Sequence, residues 1–172
     1  FVSFASHGLW TYTTVFYAFI VIPLLDLITG ETTDNLEADE AAHKKTQWIF
    51  DAMLYLNVPI VFCILAYGLL QVQTGSYERY EMIGLALSGG ILLATNGINV
   101  AHELGHRRSR WSQGVAKGLL GTSFYMHFFI EHNRGHHARV ATSEYPATSR
   151  RDESLYAFLP RSIIGGLLSA WD

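Results

Sequence analysis

The chain has 172 residues, 49% of them hydrophobic and 16% charged, a charged share well below the roughly 25% of soluble domains and a composition too apolar for a disordered chain. Twelve Lys+Arg against fifteen Asp+Glu leave a net charge of −3, so no polybasic surface marks a nucleic-acid binder. The mean hydropathy of +0.17 decides little by itself; its distribution along the chain decides more. No Asp, Glu, Lys or Arg occurs over 1–25, over the 26 residues 52–77, or over the 20 residues 82–101. About 20 apolar helical residues cross the roughly 30 Å hydrocarbon core of a bilayer, so three spans are predicted.

The first predicted span covers 8–28, with Trp10, Tyr12 and Tyr17 placed as interfacial anchors and Pro23 near its other end. It lacks the basic leader and small-residue cleavage site of a removable signal peptide. Residues 26–51 read as an acidic, solvated connector with a short helical pattern over 36–48. The second span covers 52–72; Pro59 is expected to kink it, and Cys63, the single cysteine, packs inside it and offers neither a disulfide nor a cysteine metal site. A short link over 73–81, turning at Gly75-Ser76, leads to the third span, 82–101, which continues without a breaker into His102-Glu103-Leu104-Gly105-His106. Small residues at Gly90, Ala94, Gly97, Ala101 and Gly105 predict close helix–helix approach along it.

Beyond the third span, 107–117 is basic and interfacial. The 13-residue apolar run 118–130 is too short to cross and reads as a partly buried or interfacial helix. From Leu155 another apolar helical pattern begins, interrupted at Pro160-Arg161. Phe at position 1, and Asp172 inside a helical pattern, predict an internal piece of a longer protein. Basic and acidic residues number 3 and 9 before His102 but 9 and 6 after it. The positive-inside rule therefore puts the histidine end of the third span and the 26–51 connector on the cytoplasmic side, with 73–81 outside. The expected fold is all-α: an integral membrane helical bundle of about three spanning helices plus interfacial ones.

Six of the eight histidines, His102, His106, His127, His132, His136 and His137, fall within 36 residues, whereas His7 and His43 stand apart as ordinary surface or interface residues. Residues four apart share a helix face, so His102 and His106 can address one metal ion, and His132 and His136 repeat that geometry. His137 then points about 100° further round, which suits a second ion or another coordination edge. Unpaired imidazoles at a membrane helix end are costly and functional by default. His127 by itself reads as packing or as support for a ligand.

Taken alone, His102-Glu103-Leu104-Gly105-His106 fits H-E-x-x-H, in which two histidines bind zinc and the glutamate is general base, so an intramembrane zinc protease is a rival reading. The second element, Glu131-His132-Asn133-Arg134-Gly135-His136-His137, weakens it, because a hydrolytic zinc site needs one further ligand and not three more histidines. Five or more imidazoles in one pocket fit two ions better than one, and a nitrogen-rich pair suits iron in oxygen chemistry, since zinc has no redox states to offer. A metal transporter would instead place its polar residues in mid-membrane.

The segments Asn99-Val100-Ala101-His102-Glu103-Leu104-Gly105-His106-Arg107 and His127-Phe128-Phe129-Ile130-Glu131-His132-Asn133-Arg134-Gly135-His136-His137, followed by Arg139-Val140-Ala141-Thr142 and Phe158-Leu159-Pro160-Arg161, resemble the bacterial membrane-bound alkane 1-monooxygenases, within the wider group of His-rich membrane di-iron desaturases and hydroxylases. The resemblance implies O2-dependent terminal hydroxylation of linear alkanes to primary alcohols at a non-haem di-iron site in the bacterial inner membrane, with the metal near the cytoplasmic face. It implies two iron ions, and electrons from rubredoxin supplied by an NAD(P)H-dependent rubredoxin reductase. The family's first two histidine boxes map onto His102 and His106, and onto His132, His136 and His137; no catalytic residue beyond these ligands is implied. Its later boxes have no counterpart here, so the 172 residues are expected to be the N-terminal part of one transmembrane hydroxylase domain, unable to complete a di-iron centre alone. Glu103 and Glu131, each beside a ligand, are candidates for fixing imidazole tautomers, as is His127 for supporting the site. Arg107, Arg108 and Arg110 are candidates for docking an acidic rubredoxin or anionic headgroups. A related fatty-acyl desaturase or hydroxylase is the alternative in the same group.

Overall fold

In a computed structural model of the protein, described over residues 1–30 and 48–171, the chain forms helices, and no strand occurs among the described residues. The helical pattern expected over 36–48 lies, apart from Trp48, outside the described residues, as does His43. We label the helices α1 (Val2–Ala5), α2 (Gly8–Thr29), α3 (Trp48–Thr74), α4 (Arg79–Gly105), α5 (Arg110–Thr122), α6 (128–139) and α7 (Leu155–Ser169). Three of them, α2, α3 and α4, are long and apolar enough to cross a membrane. The described residues bury only 6%, 11% and 22% of their most apolar stretches, which leaves side chains such as Leu27 and Leu69 to be covered by lipid or by further protein. The fold is thus all-α and membrane-spanning. Each crossing extends past its predicted ends by about a turn or less at either end, because flanking residues such as Trp48 and Arg79 carry the helices beyond the uncharged core. The described residues divide into two compact units, Phe1–Gly97 and Ile98–Asp172.

In the first unit, the start of α2 lies against the start of α4. The Ser88 hydroxyl donates to the Thr11 carbonyl at 2.8 Å, and the Tyr12 hydroxyl donates to the Tyr80 carbonyl at 2.7 Å. The buried Glu81 carboxylate accepts from the Gly8 and Glu78 backbone N–H groups. Contact is close because Gly84 has no side chain: a Cβ there would sit 2.7 Å from the Tyr12 ring. Gly68 on α3 likewise receives the Phe4 ring, 2.7 Å from where its Cβ would be. Gly90, one of the small residues expected to mediate such contacts, faces open space. Pro59 sits inside one uninterrupted helix. Nearby, Asn57 Nδ2 donates at 2.6 Å to the Asn96 carbonyl, which belongs to a π-helical turn, Leu93–Ile98. A widened turn leaves carbonyls in need of partners, and in hydrocarbon only another protein group can serve. Gly30, at φ 73°, ends α2 with its N–H on the Asp26 carbonyl.

In the second unit, the last turn of α4 packs on α5. Ala101, Leu104, Ala116, Leu119 and Leu120 are the sealed core of that contact, each at most 1% exposed. Gln113 Nε2 closes the intervening turn on the Arg107 carbonyl at 2.9 Å. The single helix expected over 118–130 is broken in two. α5 ends at Thr122, where the Thr122 and Ser123 hydroxyls take the Leu119 and Leu120 carbonyls (2.6 and 3.0 Å) and so compete with helix continuation. Phe124 then adopts a positive φ of 55°, and α6 begins at Phe128. Lys117 Nζ lies 4.6 Å from the Phe129 ring centroid and ties α6 back to α5.

The interruption expected at Pro160-Arg161 is also absent: α7, capped by Ser154, runs through Pro160. Arg161 instead anchors the preceding loop. Its guanidinium donates to both Glu153 carboxylate oxygens (2.6 and 2.5 Å) and to the Pro146 and Thr148 carbonyls (2.6 and 3.0 Å). The Arg161 hydrogen bonds, then the Arg150 backbone N–H, hold the Glu153 carboxyl down to about 2 from its ordinary 4.5. A carboxylate lowered by folding stabilises the fold above its unfolded pKa, and that stabilisation is lost as pH falls from 4.5 toward about 2. Thermal unfolding across that window should show the acid-side fall in wild type and a flatter profile in Arg161→Leu.

Candidate metal centre

The end of α4 and the start of α6 meet through imidazoles. His102 lies in the last turn of α4 and His106 directly after it, four residues apart and on one face as the spacing predicts. α6 brings His132 across to them. The three Nε2 atoms form a near-regular triangle with edges of 2.9 Å (His102 to His106), 2.8 Å (His102 to His132) and 3.1 Å (His106 to His132). Among the described residues these three are the group able to hold a metal ion. Hydrogen bonding alone does not account for the triangle, since three nitrogens carry too few correctly aimed protons and lone pairs to satisfy all three edges. Three nitrogens converging this closely could hold a metal ion between them.

Neutral imidazole is the ligating form, and the site favours it. Burial first, then the neighbouring His102, His136, His106 and His137 rings, bring His132 down to about 4 from 6.5. Burial, with His102 and His137, also lowers His106.

The remaining two histidines of the second box, His136 and His137, flank the triangle. Over Glu131–His136 the helix opens into a π turn. The wider turn brings His137 beside His132. The His136 and His137 ring centroids are then equally close to that of His132, both at 4.8 Å, the first stacked parallel and the second edge-on. His137 also meets His106 at 4.9 Å. Five imidazoles thus form one contiguous patch, with three nitrogens converging and two rings flanking them. The adjacent pair His136-His137 was itself a signal for this turn, because consecutive residues of an ordinary α-helix cannot face one site.

Among the other candidate residues, Glu103 is exposed and paired with Arg107 at 3.3 Å, one helical turn along. Glu131 is buried and accepts hydrogen bonds from Tyr145 and Ser169. His127, at the head of α6, meets the Tyr125 ring edge-on at 4.7 Å. Arg108, between α4 and α5, and Arg110, at the start of α5, are exposed. Two aromatic neighbours of the patch carried no signal in the sequence: Phe128, stacked on His132 at 5.0 Å, and Tyr145, edge-on to His136 at 5.2 Å. Tyr145 lies outside any helical period and reaches the patch only through the fold of the loop before α7. Beside the patch is a largely apolar cavity of about 460 Å³, walled by Met126, Phe129, Ile130 and Trp171 with Lys117 at its edge. Phe129 and Asn133 line both this cavity and a small cleft bordered by His102 and His132.

The sequence pattern of the family described as "Fatty acid desaturase" matches residues 79–172, the stretch that carries every histidine of the patch. The chain is 38% identical to an alkane 1-monooxygenase of Pseudomonas putida, over 95% of this chain and 43% of that protein. It is 37% identical to alkane 1-monooxygenase 1 of Alcanivorax borkumensis, over 99% of this chain and 42% of the relative. At 28% identity, over 97% of the chain and 43% of the relative, it is also similar to the xylene/toluene monooxygenase hydroxylase component XylM of Pseudomonas putida. The chain spans less than half the length of the curated relatives it matches.

Proposed function

The chain belongs to the fatty acid desaturase family, and from that membership we propose that the protein containing it is an O2-dependent monooxygenase that converts linear alkanes to primary alcohols. The observation that carries this reading is the triangle of His102, His106 and His132 nitrogens, set in a chain whose relatives are named alkane 1-monooxygenases. Iron, two ions per protein, is the metal proposed. When bound, it supplies the redox chemistry that activates O2, so that one oxygen atom enters a terminal C–H bond and the other leaves as water with two electrons and two protons. An alkane offers no polar handle, so acid–base side chains alone cannot perform this reaction.

The chain's own residues do the rest. His102, His106 and His132 present neutral donor nitrogens on one face, and His136 and His137 stand beside them as the proposed ligands toward a second ion. Further ligands are proposed to come from the part of the protein outside these 172 residues, which span less than half the length of the relatives. Phe129 and Asn133, shared by the cavity and the histidine cleft, place an apolar chamber against the centre, where a chain held by shape alone would lie. The exposed Arg108 and Arg110, with Arg107, are proposed to steer an acidic rubredoxin to the cytoplasmic face of the bacterial inner membrane.

A second reading, acyl-chain desaturation or hydroxylation, is favoured by the description of the matching family itself. The zinc-protease reading is disfavoured by His136 and His137, which flank the triangle and exceed the one further ligand that a hydrolytic zinc site needs. Metal analysis of the purified full-length protein, with product analysis on an alkane and on a fatty-acyl substrate, separates the three. We expect iron in pairs and a primary alcohol formed only with O2 and a reductant. An unsaturated acyl product moves the protein to the second reading, and a single zinc with O2-independent peptide cleavage overturns both.

A further inference from the structure

Beneath the histidine patch lies a buried polar group that the proposed chemistry does not use. Glu131 is 6% exposed and Tyr145 is 8% exposed. The Tyr145 hydroxyl donates to Glu131 Oε2 at 3.3 Å, the Ser169 hydroxyl donates to Oε1 at 3.4 Å, and Arg139 Nη2 donates to the Ser169 Oγ at 2.8 Å. Loop, α6 and α7 are thereby joined at one carboxylate. That carboxylate occupies the space over Gly135 where a side chain would begin, its Cδ only 2.9 Å from an added Cβ. Glu131 and Gly135 both belong to the π turn that sets His132, His136 and His137 side by side. On its other side, the Tyr145 ring meets the His136 ring edge-on, with centroids 5.2 Å apart at 68°.

We propose that Tyr145 is a positioning residue for the metal centre: its hydroxyl, through the buried Glu131 carboxylate, holds the widened turn of α6, and its ring is the wall that sets the His136 imidazole. This deepens the metal-centre reading and rests on it. Two physical arguments support it. A buried carboxylate without donors is expensive, so the Tyr145 and Ser169 hydroxyls fix where Glu131 lies, and Glu131 over Gly135 in turn fixes the turn. An imidazole packed against an aromatic edge loses rotamer freedom before metal arrives, which is the usual task of groups behind a ligand.

The test uses full-length protein stripped of metal and titrated with cobalt(II), whose visible absorption reports the ligand field without turnover. Tyr145→Phe keeps the ring and loses the hydroxyl; Tyr145→Leu loses both at similar volume. Groups behind a ligand cost 10–100-fold in metal affinity when removed, so we expect cobalt affinity about tenfold or more weaker in Tyr145→Leu, with a shifted absorption band. Tyr145→Phe should fall between it and wild type. In the iron enzyme, kcat should drop with KM unchanged. Cobalt affinity and band position unchanged in Tyr145→Leu overturn the proposal. Should that variant fail to fold, Tyr145→Phe carries the test, and wild-type cobalt binding there overturns it. Wild-type protein that binds no cobalt would instead sink the metal-centre reading, and this inference with it.

Discussion

Replacing His132 with alanine in the full-length protein is expected to remove both bound iron and hydroxylation. His132 is the member of the triangle that α6 supplies; without it, two nitrogens from α4 remain. The His136 ring is stacked parallel to it at 4.8 Å and the Phe128 ring at 5.0 Å, so the vacated space is walled by groups already engaged. Loss of a ligand should exceed the 10–100-fold cost of losing a group behind a ligand. His136→Ala, which removes a proposed ligand to the second ion, should likewise lower iron and abolish hydroxylation. His127→Ala is the control, because its ring meets Tyr125 and lines the cavity without joining the triangle, so iron should stay bound. Iron per protein and turnover, measured together, decide the matter. If both survive in His132→Ala, the triangle does not hold the metal.

Much of this arrangement is legible in the sequence, for reasons that differ from element to element. The three crossings are read from uncharged runs because lipid makes a simple demand, enough apolar residues in a row, that no tertiary contact needs to modify. His102 and His106 are read from a spacing of four because the last turn of α4 is an ordinary α-helix. The second box is read as chemistry but not as geometry: its π turn brings His137 beside His132, and the Glu131 carboxylate lying over Gly135 sits beneath these histidines.

Long-range packing is where the sequence is silent. Gly84 and Gly68 admit the Tyr12 and Phe4 rings, whereas Gly90, in the small-residue stripe of α4, faces open space. Nothing local distinguishes these glycines; what does so is the laying of the N-terminal segment over α3 and α4. The apolar run 118–130 fails as one helix for a local reason instead, since Thr122 and Ser123 spend their hydroxyls on the carbonyls of the preceding turn.

Gly135 carries the clearest consequence of the buried carboxylate. By helix propensity alone, Gly→Ala inside a helix stabilises by about 1 kcal/mol. That gain is expected at Gly114 and Gly118 of α5, where an added Cβ meets nothing within 4 Å. At Gly135 the same methyl would collide with Glu131 Oε1 and sit 2.9 Å from its Cδ and 3.3 Å from Arg139 Nη2. Exposed, the carboxylate could swing aside. Here it is buried and held by Tyr145 and Ser169, so yielding means breaking those bonds or unwinding the turn. Overpacking of this kind costs about 1–3 kcal/mol, enough to cancel the propensity gain and at the upper end to reverse it by about 2 kcal/mol. Gly135→Ala should therefore lower the thermal midpoint of the full-length protein while Gly114→Ala and Gly118→Ala raise it, and it alone should lose iron. A Gly135→Ala protein as stable and as iron-rich as the α5 variants would mean that the carboxylate moves freely and that the wide turn does not depend on it.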